Sequence, residues 1–120
     1  NKKYRKIRAN KKVKVKNLKL VINTMHSLRT KKVFDYLLKY KGFFKITGVD
    51  AYNFCSIAEG KFDVLIESGL KIVDILPLKL IIENSGASIC DWNGGNDFSK
   101  GKILVCPNKK IQKFYLKILN

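Results

Sequence analysis

The stretch Gly60-Lys61-Phe62-Asp63-Val64-Leu65-Ile66-Glu67-Ser68-Gly69-Leu70-Lys71-Ile72-Val73-Asp74 decides the fold of this chain. Phe62 to Glu67 is a short apolar run between turn residues and reads as a strand. A helix follows, starting near Asp74 and running to about Asn84, with Gly86 as its stop. Pro77 falls in its first turn, where a missing N–H costs nothing because those donors lack partners within the helix. The helix is apolar nearly all round, which predicts that it is buried. Glu67 and Asp74 therefore bracket a strand-to-helix junction, so both acids stand at the mouth of a sheet.

The same alternation extends in both directions. Leu18 to Ile22 reads as a strand, and Asn23 to Arg29 as a loop holding the single histidine, His26. Thr30 is placed to cap a helix to about Tyr40, with Val33, Phe34, Leu37 and Leu38 on its apolar stripe and Gly42 ending it. Phe43 to Thr47 reads as a strand. Asp50 is placed to cap a helix that turns Phe54, Cys55, Ile57 and Ala58 inward and stops at Gly60. Beyond Gly86, Ser88–Asp91 and Ile103–Cys106 read as strands around the turn-rich loop Trp92–Asp97. Asn108 caps a last helix with Ile111, Phe114, Tyr115, Ile118 and Leu119 inward. Residues 3–8 and 12–16 read as a hairpin around Ala9-Asn10-Lys11. Alternating strands and helices make the class α/β: one layered sheet with flanking helices, in a single domain over residues 1–120.

With 120 residues and 46% apolar content, the chain is long and hydrophobic enough for its own core. It has no apolar stretch long enough to span a bilayer and no secretory signal. Three widely spaced cysteines, Cys55, Cys90 and Cys106, argue against a disulfide framework or zinc site and for buried thiols in a reducing, cytoplasmic setting. Asn1 opens the chain and Met25 is internal, which suits a fragment.

The net charge of +16 points to a polyanion, but its distribution weakens that reading. Residues 1–16 hold nine Lys or Arg and no acid, whereas the remainder holds sixteen basic and nine acidic residues. Lys12-Val13-Lys14-Val15-Lys16 alternates with period two, as in a half-exposed edge strand, where lysine also discourages aggregation. No aromatic platform or helical basic stripe is evident beside it, so a nucleic-acid partner is disfavoured. Lysine, asparagine and isoleucine are abundant throughout, which accounts for charge without a ligand.

Ligands of α/β sheets collect where strands end and helices begin. Asp50, Glu67 and Asp74 occupy such places. Capping alone would explain Asp50 and Asp74, since aspartate accepts well from the free N–H groups of a first turn. Lys71 suits either a phosphate or solvent. Gly94-Gly95 is a turn rather than a phosphate loop. No Ser-His-Asp set, Walker loop or H-E-x-x-H is present.

Residues 46–95 resemble the C-terminal half of the inositol monophosphatase superfamily, and within it the histidinol-phosphate phosphatase branch. The matching pieces are Asp50-Ala51-Tyr52-Asn53-Phe54, Glu67-Ser68-Gly69-Leu70-Lys71-Ile72-Val73-Asp74, Ile82-Glu83-Asn84-Ser85-Gly86 and Cys90-Asp91-Trp92-Asn93-Gly94. Gly101 to Cys106 resembles the family's last strand, and residues 5–29 more weakly its preceding strand pair. The resemblance implies a Mg²⁺-dependent, lithium-sensitive phosphomonoesterase acting on a small phosphorylated substrate. It makes Asp74 a metal-ligand position and Glu67 a contact to the non-phosphate part of the substrate. Gly48, Val49 and Asp50 would line the same pocket, and an acid at Asp50 suits a cationic amine such as histidinol's. An inositol phosphate or another small phosphate ester is the alternative substrate, and a polyanion-binding domain using residues 1–16 the non-enzymatic alternative.

Departures from the family pattern are clear. Ile72-Val73 replaces an aromatic or proline, and Leu76-Pro77 replaces small residues. The G-E-E and D-P-x-D-G-T motifs, which supply most metal ligands in the family, do not occur. One carboxylate cannot build a catalytic Mg²⁺ cluster, so the chain is expected to be inactive alone, as a piece of a longer enzyme, a split half that needs its missing N-terminal half, or a remnant. The family commonly forms homodimers.

Overall fold

The computed structural model describes residues 3–23 and 25–120. The side chains of Met25 and His26, including the expected loop histidine, lie outside the described residues. In chain order the regular elements are β1 (Leu20–Ile22), α1 (Met25–Leu28), α2 (Lys31–Lys39), β2 (Phe44–Ile46), α3 (Asp50–Ala58), β3 (Val64–Glu67), α4 (Ile72–Asn84), β4 (Ser88–Cys90), β5 (Ile103–Cys106) and α5 (Lys109–Leu119). The segment expected as a loop before Thr30 thus contains the short helix α1.

Five strands form one mixed sheet in the order β2-β1-β3-β5-β4. β1 pairs in parallel with β2 and β3, whereas β5 runs antiparallel to both β3 and β4. Successive strand side chains point to opposite faces, which sorts the apolar residues into two clusters. Val21, Leu65, Ile103 and Val105 face Phe54 and Ile57 of α3 and Ile75 and Ile82 of α4. Leu20, Ile22, Val64, Ile66 and Leu104 face Val33 and Leu37 of α2 and Ile111, Tyr115 and Leu119 of α5. The sheet is therefore the middle of three layers, and burial on both faces explains why β3 and β5 read as continuous apolar runs.

Residues 3–8 and 12–16 form no hairpin: they carry no strand, with a turn at Lys11–Lys12 and a 3-10 turn at Val15–Asn17. Apart from local turn bonds, the segment pairs with the body of the protein. The Ala9 N–H donates to the Ser85 carbonyl at 3.1 Å, and the Asn108 side chain donates to the Lys11 carbonyl at 2.9 Å. Ala9 enters the α3/α4 cluster, while Val13 and Val15, the apolar members of the period-two pattern, both lean on the α2/α5 cluster.

The helix α4 is not buried all round. Ile75 and Ile82 are fully enclosed, but Ile72, Val73, Leu76 and Leu80 are 46–68% exposed. Likewise only Val33 and Leu37 of the α2 stripe are buried, with Phe34 and Leu38 exposed.

Neither Asp50 nor Asp74 is a cap. Val49 and Lys71 occupy the N-cap positions of α3 and α4, and no side-chain cap hydrogen bond forms at either end. Asp50 is the first residue of its helix and Asp74 the third of its own, both beside the positive end of a helix dipole. Asn108 does cap α5, accepting from the Ile111 N–H at 2.9 Å.

Gly101 anchors the loop that follows β3. Its φ of +67° suits glycine, and a Cβ there would lie 2.3 Å from the Leu70 carbonyl oxygen. The Leu70 N–H in turn donates to the Gly101 carbonyl at 3.3 Å. This close approach holds the Ser68–Lys71 segment against the start of β5.

Candidate active site

The carboxyl ends of the parallel strands β1, β2 and β3 lie side by side, because Ile22 is in register with both Ile46 and Ile66. The residues just beyond them are Asn23, Thr47 and Glu67, and α3 starts three positions after Thr47. Polar side chains thus converge at one end of an otherwise apolar sheet, as α/β topology favours.

Glu67 is completely buried. One of its carboxyl oxygens, Oε1, accepts from the Asn53 side-chain amide at 2.9 Å. The other, Oε2, is enclosed and has no partner among the described residues. Burial pushes the Glu67 carboxyl up to about 8. The Asn53 amide works against that rise, and the neighbouring Asp50 carboxylate adds to it. Glu67 therefore holds a proton at neutral pH, beside a second acid.

Asn53 is itself oriented. The Thr47 hydroxyl donates to the Asn53 amide oxygen at 3.0 Å and accepts from the Val49 N–H at 3.0 Å. With its oxygen engaged, the Asn53 NH₂ is left to face Glu67. A second clip lies on the β1 side. Asn23 donates to the Ser68 carbonyl at 2.7 Å and accepts from the Ser68 N–H at 3.3 Å, grasping the residue directly after Glu67. Ser27 of α1 donates to the Asn23 oxygen. The Glu67 side chain is thereby held from α3, and the backbone beside it from the segment joining β1 to α1.

Of the residues expected from sequence, Asp50 and Glu67 are brought together, and Gly48 and the exposed Val49 lie on the adjoining turn. Asp74 stands apart: it is exposed, and among the described residues its carboxylate has no hydrogen bond or ion pair to either acid. Lys71 is exposed at the α4 N-cap. Sequence reasoning missed Asn53, Thr47, Asn23 and Ser27. Asn53 carried a usable signal, since it lies three residues after Asp50 and hence on the same helix face.

Among the described residues, no group of three or more His, Cys, Asp or Glu side chains is arranged to hold a metal ion. Asp74 alone offers an accessible carboxylate at the expected ligand position, and a Mg²⁺ ion needs near-octahedral oxygen ligation. These residues therefore do not complete a cation site. No helix is long and apolar enough to cross a membrane among the described residues.

Known proteins carry the same fold within longer chains. The model of the inositol monophosphatase family matches residues 2–120. A Nus factor SuhB of Haemophilus influenzae is 33% identical over 76 residues, 62% of this chain and 28% of that protein. A bifunctional phosphatase IMPL2 of Arabidopsis thaliana chloroplasts is 47% identical over 47 residues, 39% of this chain and 14% of that one. Among solved structures, the extragenic suppressor protein suhB of Bartonella henselae superposes with a TM-score of 0.79 at 20% identity, covering 95% of this chain and 46% of its own. An IMPase of Thermotoga maritima gives a TM-score of 0.79 at 19% identity, with 95% and 44% covered. The chain thus spans about half the length of the solved structures it matches. The matched model runs from the basic N-terminal segment through the acid pair to Asn120, just past α5, so the chain belongs to the inositol monophosphatase family.

Proposed function

We propose that this chain forms the substrate-side part of a Mg²⁺-dependent phosphomonoesterase whose substrate carries a cationic amine beside its phosphate, as histidinol phosphate does. The observation that carries this reading is the pairing of Asp50 with fully buried Glu67, whose Oε2 lacks a partner among the described residues. Two adjoining carboxyl groups are costly beside a neutral polyol. They become favourable when an ammonium group supplies charge and donors to both. An ammonium group placed there releases the Glu67 proton and satisfies Oε2.

Asp74 would offer one carboxylate to the metal, whose role when bound is to activate water and neutralise charge at the phosphate. The remaining ligands must come from outside this chain. The exposed stripe of Ile72, Val73, Leu76 and Leu80 on α4 is apolar enough to be an interface. Since the chain spans under half of its solved relatives, the rest of the family architecture is the natural occupant of that face. The isolated chain is then inactive.

The test is Mg²⁺-dependent phosphate release after mixing this chain with the N-terminal half of a family member. Histidinol phosphate should be preferred over inositol 1-phosphate, and Asp50→Ala should reverse that order. An unchanged preference in Asp50→Ala would exclude the amine reading. No release from any candidate ester would exclude the phosphatase reading.

A further inference from the structure

The solvent face of α5 is a stripe of lysine that faces away from the acid pair's network. Lys109, Lys113 and Lys117 recur at intervals of four, about 6 Å apart along the axis, and Lys110 lies beside them. On the opposite face Ile111, Tyr115 and Leu119 are buried in the core. The N-terminal segment comes alongside. Val15, Lys109, Lys110, Lys113, Phe114 and Lys117 line a shallow groove of about 400 Å³ between α5 and the 3-10 turn Val15–Asn17. Lys14 and Lys16 flank Val15 and are exposed. Among the described residues, none of these six lysines is in an ion pair. No acid occurs in residues 1–34 or 98–120 to temper them. The helical basic stripe absent from a linear reading is therefore supplied by α5, and Phe114, 39% exposed, provides an aromatic surface within it.

We propose that the lysine face of α5, Phe114 and the turn at Val15–Asn17 form a binding surface for single-stranded RNA. A run of lysines along a groove tracks a phosphate backbone, and an exposed aromatic ring among them stacks on a base whatever its identity. An anionic membrane fits less well. Interfacial helices bury an apolar face in lipid, and the apolar face of α5 is already committed to Leu20, Ile22 and Leu104 through the core. The surface is independent of Asp50 and Glu67, so the two readings stand or fall separately.

Fluorescence anisotropy of the whole chain with a labelled oligouridylate tests this directly. Affinity should fall with salt at about 0.7 logarithmic units per contacted phosphate. The triple variant Lys110→Glu/Lys113→Glu/Lys117→Glu should weaken binding by at least about tenfold and lower that slope. The control Lys39→Glu/Lys41→Glu/Lys45→Glu makes the same charge change at exposed positions elsewhere and should retain most of the affinity. Phe114→Ala should weaken binding by about fivefold or more. Equal losses in the two triple variants would overturn the proposal, as would unchanged binding in Phe114→Ala. Tight binding to phosphatidylserine vesicles with none to oligouridylate would also overturn it. Near-UV circular dichroism confirms folding of each variant, and glutamine in place of glutamate repeats the test should a reversal fail to fold.

Discussion

The Asn53 side-chain amide donates to Glu67 Oε1 at 2.9 Å, and among the described residues nothing donates to Oε2. This asymmetry makes Glu67 a proton-holding acid rather than a buried charge. A carboxylate taken fully out of water needs several donors to stay ionised, and one neutral amide is too few. Burial is the main cause, and the neighbouring Asp50 pushes the same way by disfavouring the charged form of Glu67.

Stability should therefore depend on pH in a direction unusual for a carboxyl. The folded Glu67 titrates at about 8, and the unfolded one near about 4.3. Between those values the folded state binds more protons than the unfolded state, so stability falls as pH rises through that window. The loss is on the order of 3 kcal/mol once the site relaxes. Urea unfolding of the wild type on the acid and alkaline sides of the window should show it. Glu67→Gln, which keeps the shape without the titration, should flatten the difference.

Removing the Asn53 donor should push the Glu67 carboxyl still higher. Asn53→Ala leaves Oε1 as bare as Oε2 and strands the Thr47 hydroxyl, at a cost of about 1–3 kcal/mol. Measured as the pH at which stability begins to level off, the Glu67 transition should move upward. A downward move would mean that Asn53 does not favour the charged form.

How far these features can be read without coordinates depends on whether a pattern has one structural solution. Ile103–Cys106 is apolar at every position and is legible as a core strand because only a doubly covered strand tolerates that. The period-two pattern of residues 12–16 has two solutions. It serves a strand or a surface tie that lends Val13 and Val15 to one layer, and the bonds of Ala9 to Ser85 and Asn108 to Lys11 hold the segment as the tie. The all-round hydrophobicity of α4 announces burial but not by whom, so its exposed stripe could not be foreseen from composition. Acids at strand ends drew notice to Asp50 and Glu67. The amides that orient them did not stand out, because asparagine is common in loops and its partners lie far off in sequence, 45 residues for Asn23 and Ser68.

The contact between Gly101 and Leu70 should transmit to the acid pair. Gly101→Ala adds a methyl group 2.3 Å from the Leu70 carbonyl oxygen at a φ of +67°. The left-handed conformation alone costs about 1–2 kcal/mol, and the overlap adds to it by forcing the loop after β3 outward. Thermal unfolding should report a loss of at least about 2 kcal/mol. Faster amide exchange should appear at Leu70, whose N–H donates to Gly101. A substitution tolerated with unchanged exchange would show that the loop is not held from this side.

The two faces of α4 should respond oppositely to change in the isolated chain. Ile82 is fully enclosed, so Ile82→Ala removes packed methyl groups and should cost about 2–5 kcal/mol. Leu76 and Leu80 are 53% and 62% exposed, and Leu76→Ser/Leu80→Ser should change unfolding stability by no more than about 0.5 kcal/mol per site. Solubility should rise with those polar replacements, as a contiguous apolar surface is lost. Mixed with the N-terminal half of a family member, the same double variant should assemble more weakly than the wild type by gel filtration. If Leu76→Ser/Leu80→Ser instead unfolds the chain while leaving assembly intact, the stripe belongs to the core of this chain and not to an interface.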